Sequence, residues 1–532
     1  MKKNIKFFIA FIVIFFSGIL FERFELDNKT TNLLKNTLNG SFRILYSLTN
    51  TEKIFIDIEN KHYEKILETR KKALKLGILK EEMQKWGPAK LKINNTSHNI
   101  KIRLKGAFPD HWSSLSKLSF KIKIDNDSKP VNELRRFNLQ SPKTLSYLYE
   151  WLLSKALQQE KLINLKLKYY ELVLNGNSQG VYALQEGISQ DTLIKNKRKL
   201  GPIIGFSKNN YLEEVANSKK LQSLGILDSL NGLEDTFWRS KIEPVQLTEN
   251  QEIDKEQQAY LKEALYSLNS FRDGTLKPSQ VFDVKKLAKV MAIRAILGSS
   301  EFDYRDTKFY FNPETSLLEP ISKEVHVRLD LNFKDHYYSW WIDSSKIRPH
   351  YTNNTNFFLD LLYSDHKFYK AYLLELNNFS KKKYINNLIK KNKNEFNNNF
   401  KILKKNYPIQ DIFSKQQLEI TRIRIQDLLN PIQSLNVNFL QYEKNMLKLN
   451  ISNLQRLPVE IIGLELQDGS SLNLKKLLII NGKKVLSPAE KISVNFDCEF
   501  REECQKHLIN KQNLIFKILG QKKRNLAKIS KY

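Results

Sequence analysis

Cysteine is nearly absent from this 532-residue sequence, which contains only Cys498 and Cys504. Two thiols cannot close a structural zinc site, and their spacing is not that of a zinc knuckle. Outside the reducing cytoplasm the pair suits one small disulfide loop. Histidine is also scarce, with eight residues and no His-Glu-x-x-His pair, so metal-hydrolase chemistry of that kind has no support. Acidic residues are the minority charge, 57 against 87 basic, for a net charge of +30. That balance favours polyanions such as anionic lipid headgroups, acidic glycans or nucleotides. No single basic block dominates, however. The densest run, Lys381 through Lys405, mixes lysine with asparagine and apolar residues at helical spacing and reads as a solvated helix face. No basic-aromatic platform is present, which argues against a nucleic-acid partner. There is no internal repeat.

What is present is globular. Hydrophobic residues make up 41% and charged residues 27%, and the length suffices for two or three full cores. Lys2, Lys3 and Lys6 precede an unbroken apolar stretch from Phe7 to Phe21. A positive segment before an apolar core is an export signal. Ile19-Leu20-Phe21-Glu22 lacks a small-x-small cleavage site. The expectation is an uncleaved anchor over residues 1–24, with the lysines cytoplasmic and the bulk in the periplasm or at the cell surface.

Residues 25–50 read as a polar juxtamembrane linker. Ile54–Ile58 alternates as an opening strand, and His62–Lys85 has the spacing of an amphipathic helix. Ala89–Asn94 and Ile100–Lys105 alternate strictly around Asn95–His98, a hairpin, and Leu118–Ile124 is a further strand. Ser146–Leu157 predicts a helix. Val284–Leu297 predicts a buried one, with Asp283 as its N-cap. Phe309–Thr315 and Leu317–Ile321 form another hairpin, and helical patterns fill Asn356 to Leu429 until Pro431 breaks them. Short strands beyond Pro431 predict a small β-sandwich. The fold class is therefore α+β, with a principal domain over 51–430 and a β-rich domain over 431–532.

The sharpest local signal is Tyr170-Glu-Leu-Val-Leu174 followed by Asn175-Gly176 and then Gly180-Val-Tyr-Ala-Leu-Gln-Glu186. Strand, Asn-Gly turn, strand is a hairpin that delivers Glu186 where the chain leaves the sheet. Upstream, Arg103-Leu-Lys105-Gly106 ends a basic strand, with Lys117 and Lys121 on the next. Phosphates need fixed cationic donors beside backbone that can approach closely, and glycine after a basic strand supplies both.

Taken in order, Arg103–Gly106, Lys117–Lys121, a helix, and Asn175–Glu186 resemble the CotH kinase family, secretory atypical kinases named for a spore-coat protein. Phe137–Pro142 is similar to that family's linker. The resemblance covers roughly residues 52–335 and implies an atypical protein-kinase-like fold binding ATP with magnesium or another divalent cation. It implies that Lys105 or Lys121 contacts phosphate, together with Gly106 and Lys117, and that Glu186 pairs with such a lysine or faces the nucleotide. Asp303 or Glu301, with Asp306, falls where the family's catalytic Asp and following Asn are expected. Asp330-Leu331-Asn332 matches a metal-binding segment without its tryptophan, and Glu324 is the rival position. Two functions follow. One is a membrane-anchored kinase outside the cytoplasm, acting on protein Ser/Thr or envelope-polymer hydroxyls. The other is an inactive kinase-like module that binds anionic envelope polymers or a partner protein.

Overall fold

A computed structural model describes residues 50–223, 236–245, 255–299, 302, 304–327, 357–431, 435–484, 487–498 and 512–530. The 1–24 anchor and most of the linker lie outside them, as do Glu301, Asp303, Asp330, Asn332 and Cys504. Among the described residues no helix is long and apolar enough to cross a membrane. The chain divides into two compact units interleaved along the sequence. The first comprises residues 1–154, 165–188 and 388–414, and the second 155–164, 189–387 and 415–532.

In the first unit seven strands close into a barrel: β1 (Lys53–Asp57), β2 (Gly87–Ile93), β3 (Thr96–Leu104), β4 (Phe120–Ile124), β5 (Arg136–Gln140), β6 (Leu167–Leu174) and β7 (Asn177–Glu186). The order is β1-β2-β3-β4-β5-β7-β6, and β1 shuts the ring by pairing parallel to β6, Ile54 opposite Leu172. Closure follows from the alternation. Ile100, Ile102 and Leu104 of β3 point inward with Phe120, Ile122, Leu139 and Leu184, while the lysines between them face out. Two tight hairpins set the register. Asn175 (φ 46) and Gly176 (φ 79) turn β6 into β7, and Asn94 (φ 48) and Asn95 (φ 63) turn β2 into β3. Both central residues have positive φ, the geometry that matches strand twist and that asparagine and glycine tolerate best. The β2–β3 turn is therefore two residues long, shorter than the Asn95–His98 loop the sequence suggests.

Helix α1 (Asn60–Leu76) stops earlier than its periodicity predicts, because Gly77 (φ 74) turns left-handed and its N–H closes on the Ala73 carbonyl at 2.8 Å. Helix α2 (Leu148–Gln159) begins two residues after the predicted start; Trp151 of α2 donates to Glu395 Oε1 at 2.7 Å. The Phe137–Pro142 segment is not a linker. Arg136–Gln140 is strand β5, because its alternating apolar residues fill the barrel between β4 and β7.

The second unit contains a four-stranded sheet ordered β11-β10-β8-β9: β8 (Ile203–Phe206), β9 (Ile242–Pro244), β10 (Lys308–Asn312) and β11 (Leu317–Ile321). Helix α3 (Val284–Ile296) is buried along most of its length, and Asp283 caps it by accepting the Lys286 N–H at 3.1 Å. Helices α4 (His366–Phe379) and α5 (Lys415–Leu429) follow in the lysine-rich region.

Strands β12 (Leu435–Glu443), β13 (Met446–Asn453), β14 (Val459–Glu465), β15 (Ser471–Ile480), β16 (Lys491–Asp497), β17 (Asn513–Ile518) and β18 (Asn525–Ser530) form one sheet ordered β15-β14-β17-β18-β12-β13-β16. Residues from both halves of this sheet, such as Ile461, Leu464, Leu449 and Ile451, share one apolar core. Cys498 is buried in that core.

Candidate functional site

Lys105 follows β3 directly and is buried, 5% exposed. Its Nζ donates to Gln140 Oε1 at 2.7 Å. Gln140 Nε2 donates to Gln185 Oε1 at 3.0 Å, and Gln185 Nε2 donates to Glu150 Oε1 of α2 at 2.9 Å. All four side chains are buried, so each bond satisfies a group whose desolvation is otherwise costly. In protein kinases a lysine paired with a helix glutamate places the nucleotide phosphates. Here Lys105 and Glu150 are joined only through Gln140 and Gln185.

Glu186 does something different. Neighbouring residues on a strand face opposite sides, and Gln185 takes the side toward Lys105 and Glu150. The Glu186 carboxylate accepts the backbone N–H of Lys166 at 3.0 Å, fixing the entry to β6. The chain to the lysine thus runs through the residue beside the expected one.

Gly106 and Lys117 are both engaged within the protein. Gly106 has φ +90, but the space where a side chain would begin is filled by the His111 ring, 2.0 Å from an ideal Cβ. The Trp112 indole N–H also donates to the Gly106 carbonyl at 3.0 Å. The glycine therefore admits the His111 ring where any other residue would carry its Cβ. Lys117 ends a short 3-10 turn ahead of β4. Its Nζ donates to the carbonyls of Gln179 and Val181 at 2.5 and 3.1 Å and lies 4.6 Å from the Tyr182 ring centroid. It clasps β7. Lys121 lies on β4 opposite Arg103 and Asn138.

Burial pushes the Lys117 ammonium down to about 8. Between that value and the ordinary lysine range the unfolded chain still holds the proton and the folded chain has lost it. Stability therefore rises with pH in this window, and below about pH 8 the contribution is flat. From pH 7 to 9 the wild type should gain roughly 1 kcal/mol relative to Lys117→Met, measured from urea midpoints. Parallel pH profiles for the two proteins would disprove the assignment.

A second centre forms in the other unit at the open end of the β10–β11 hairpin. Lys308 pairs with Ile321, so residues just before β10 and just after β11 meet. Asp306, Glu324 and His326 converge there, each offering one ligand atom, with these atoms all within 4.8 Å of one another. Glu324 (φ 58) and His326 (φ 48) both adopt the left-handed backbone. Such residues cost on the order of 1 kcal/mol each and persist where their surroundings enforce them. Arg294 of α3 enforces them here: its guanidinium donates to the Lys323 carbonyl at 3.0 Å, the Glu324 carbonyl at 3.1 Å and Ser322 Oγ at 3.2 Å.

Lysines surround the cluster. Lys208 pairs with Asp306, and Lys323 Nζ lies 3.1 Å from Glu324 Oε1. Burial opposes the charge on Asp306, but Lys208 and then His326 and Lys323 outweigh it and hold the carboxyl well below the usual carboxylate range. Burial, reinforced by the charges of Lys208 and Lys323, pushes Lys308 down to about 8. Two carboxylates and an imidazole at this spacing fit a divalent cation, the carboxylates suiting magnesium or manganese and the imidazole iron or zinc.

Asp306 and Glu324 are thus brought together. Asp303, Asp330, Asn332 and Glu301 lie outside the described residues. Apart from the usable Glu324-x-His326 spacing, His326, Lys208, Gln140, Gln185 and Glu150 carry no motif that singles them out in the sequence.

A barrel bearing a lysine–amide–glutamate chain and a hairpin gathering carboxylates and an imidazole describe a mixed α+β protein. The chain belongs to the CotH kinase protein family, whose model matches residues 102–401, more than half of its 532 residues. Among curated proteins none matches the chain.

Proposed function

We propose that this protein is an ATP-dependent phosphotransferase, anchored to the membrane by its N-terminal segment and acting outside the cytoplasm. Its acceptors are Ser/Thr hydroxyls of protein or hydroxyls of an envelope polymer. The observation that carries the reading is the convergence of Asp306, Glu324 and His326 in a chain of this family. Those three residues would hold the divalent cation. When bound, the cation offsets phosphate charge and orients the transferring group. Lys208 and Lys323, which pair with Asp306 and Glu324, would offer positive charge to phosphate oxygens beside such a cation. Within the first unit, Lys105, fixed by Gln140, is the lysine assigned to phosphate contact by the family resemblance. Asp303 is assigned to orient the acceptor hydroxyl.

The test is transfer of label from γ-labelled ATP by the full-length chain with magnesium or manganese, alongside nucleotide-dependent thermal shift. Asp306→Asn should abolish transfer, while Asp127→Asn, an exposed control, should leave it unchanged. No transfer and no thermal shift in the wild type would sink the reading. A second reading, a non-catalytic module for anionic envelope polymers or a partner protein, is favoured by the lysines already neutralising Asp306 and Glu324 and by the +30 charge. Under it the wild type is inactive and binds an anionic polysaccharide in a salt-sensitive way.

A further inference from the structure

The second unit holds a cavity of about 290 Å³ well away in sequence from the acidic cluster. Its walls come from the end of α4, the end of α5 and the turn between β17 and β18. The lining includes Lys381, Lys522 and Lys523 and no Asp or Glu. All three lysines are exposed at the rim. Carboxamides dominate the rest of the polar lining, and Asn377, Gln426, Gln521 and Asn430 are hydrogen-bonded within the protein. Gln426 Nε2 donates to Asn377 Oδ1 at 3.3 Å and to Ser380 Oγ, and Gln521 Nε2 donates to the Leu373 carbonyl at 3.0 Å. Each amide carries both a donor and an acceptor, and these bonds use one end of each. The walls are therefore fixed before any ligand arrives, which lowers the ordering cost of binding.

The turn that completes the cavity is equally set. Gly520 has φ +78, and a Cβ there would lie 2.6 Å from the Lys370 carbonyl, so the turn seats directly on α4. Both helices end at this cavity, where the Asn377 and Gln426 carbonyls already accept from Ser380 Oγ at 3.2 Å and Asn430 Nδ2 at 2.8 Å, and a carbonyl oxygen has a second lone pair that can accept from a hydroxyl. A bare anion would be repelled by those carbonyls. A ligand with both hydroxyls and one negative group satisfies carbonyls, amides and lysines together. The volume lies at the small end of ligand pockets and suits a short ligand.

We infer that this cavity binds an acidic sugar residue, its hydroxyls on the amides and helix-end carbonyls and its carboxylate or phosphate on Lys381, Lys522 and Lys523. The site is independent of any transfer activity. The chain would thereby hold a negatively charged glycan through its second unit.

The test titrates the full-length protein with D-glucuronate, D-glucose 6-phosphate, D-glucose and inorganic phosphate, read by calorimetry and saturation-transfer NMR. At least one acidic sugar should bind tenfold or more tightly than both glucose and inorganic phosphate. Whichever acidic sugar binds better identifies the acidic group. The double variant Lys522→Gln/Lys523→Gln, altered only at exposed positions, should weaken that binding at least tenfold with an unchanged Tm. Absence of binding by both acidic sugars, equal binding of inorganic phosphate or glucose, or full retention of binding in the double variant would each overturn the inference.

Discussion

Lys105→Met should lower the rate of phosphoryl transfer on the order of a thousand-fold, equivalent to about 4 kcal/mol of transition-state stabilisation. Methionine keeps the length and apolar stem of lysine and removes the charge. The ammonium is 5% exposed and held by Gln140 at 2.7 Å, so it acts from a fixed position, the condition under which a cation contributes most to a developing phosphate charge. Stability should fall far less, by about 1–2 kcal/mol, because Gln140 Oε1 loses its donor in a buried setting. Single-turnover rates and denaturation midpoints separate the two effects. Gln185→Leu should give a smaller rate loss, since it breaks the chain to Glu150 and leaves the ammonium in place. If Lys105→Met transferred phosphate at the wild-type rate, the phosphate lysine would have to be sought at Lys121.

The largest expected effect on stability lies at Glu319. Its carboxylate, 1% exposed, accepts from Arg198 Nε at 2.8 Å, Lys286 Nζ at 2.8 Å and Asn312 Nδ2 at 2.9 Å. One residue of β11 thereby ties together β10, the start of α3 and the segment carrying Arg198. Glu319→Ala removes an acceptor from all three and leaves Arg198 without this counter-charge, while Lys286 keeps Asp283 at 2.9 Å, so the cost should be about 3 kcal/mol. Glu319→Gln keeps the shape and one acceptor and should cost less. By contrast, the exposed Lys166–Glu133 pair at 2.5 Å should be worth under about 1 kcal/mol. Equal urea midpoints for Glu319→Ala and wild type would show that the carboxylate does not organise the sheet.

Much of the fold is legible without coordinates. The β6–β7 hairpin could be read from Asn175-Gly176, because only a few residue types accept two successive positive φ values. The start of α3 could be read from Asp283, because its side chain caps a neighbour in sequence. The alternation of Ile100, Ile102 and Leu104 marked a strand with one buried face. The site was less legible. Lys105 stood out as a candidate, yet its partners Gln140, Gln185 and Glu150 come from two strands and a helix, and glutamine has no sequence signature for such contacts. Gly106 read as an open approach for phosphate, and nothing in the sequence shows that the His111 ring lies where a Cβ would be. Lys117 read as a strand lysine aimed at ligand, whereas two carbonyls of β7 hold it.

By itself, then, the sequence determined the local geometry and the family: turns, caps, alternation and the order of motifs each depend on neighbouring residues. Only the tertiary structure decided which charged groups meet. Closure of the barrel aligned Lys105 with Glu150 through two amides. The register of β10 against β11 carried Asp306 to Glu324 and His326. Both are consequences of strand pairing between distant segments, and a shift of one residue would turn those side chains to opposite faces.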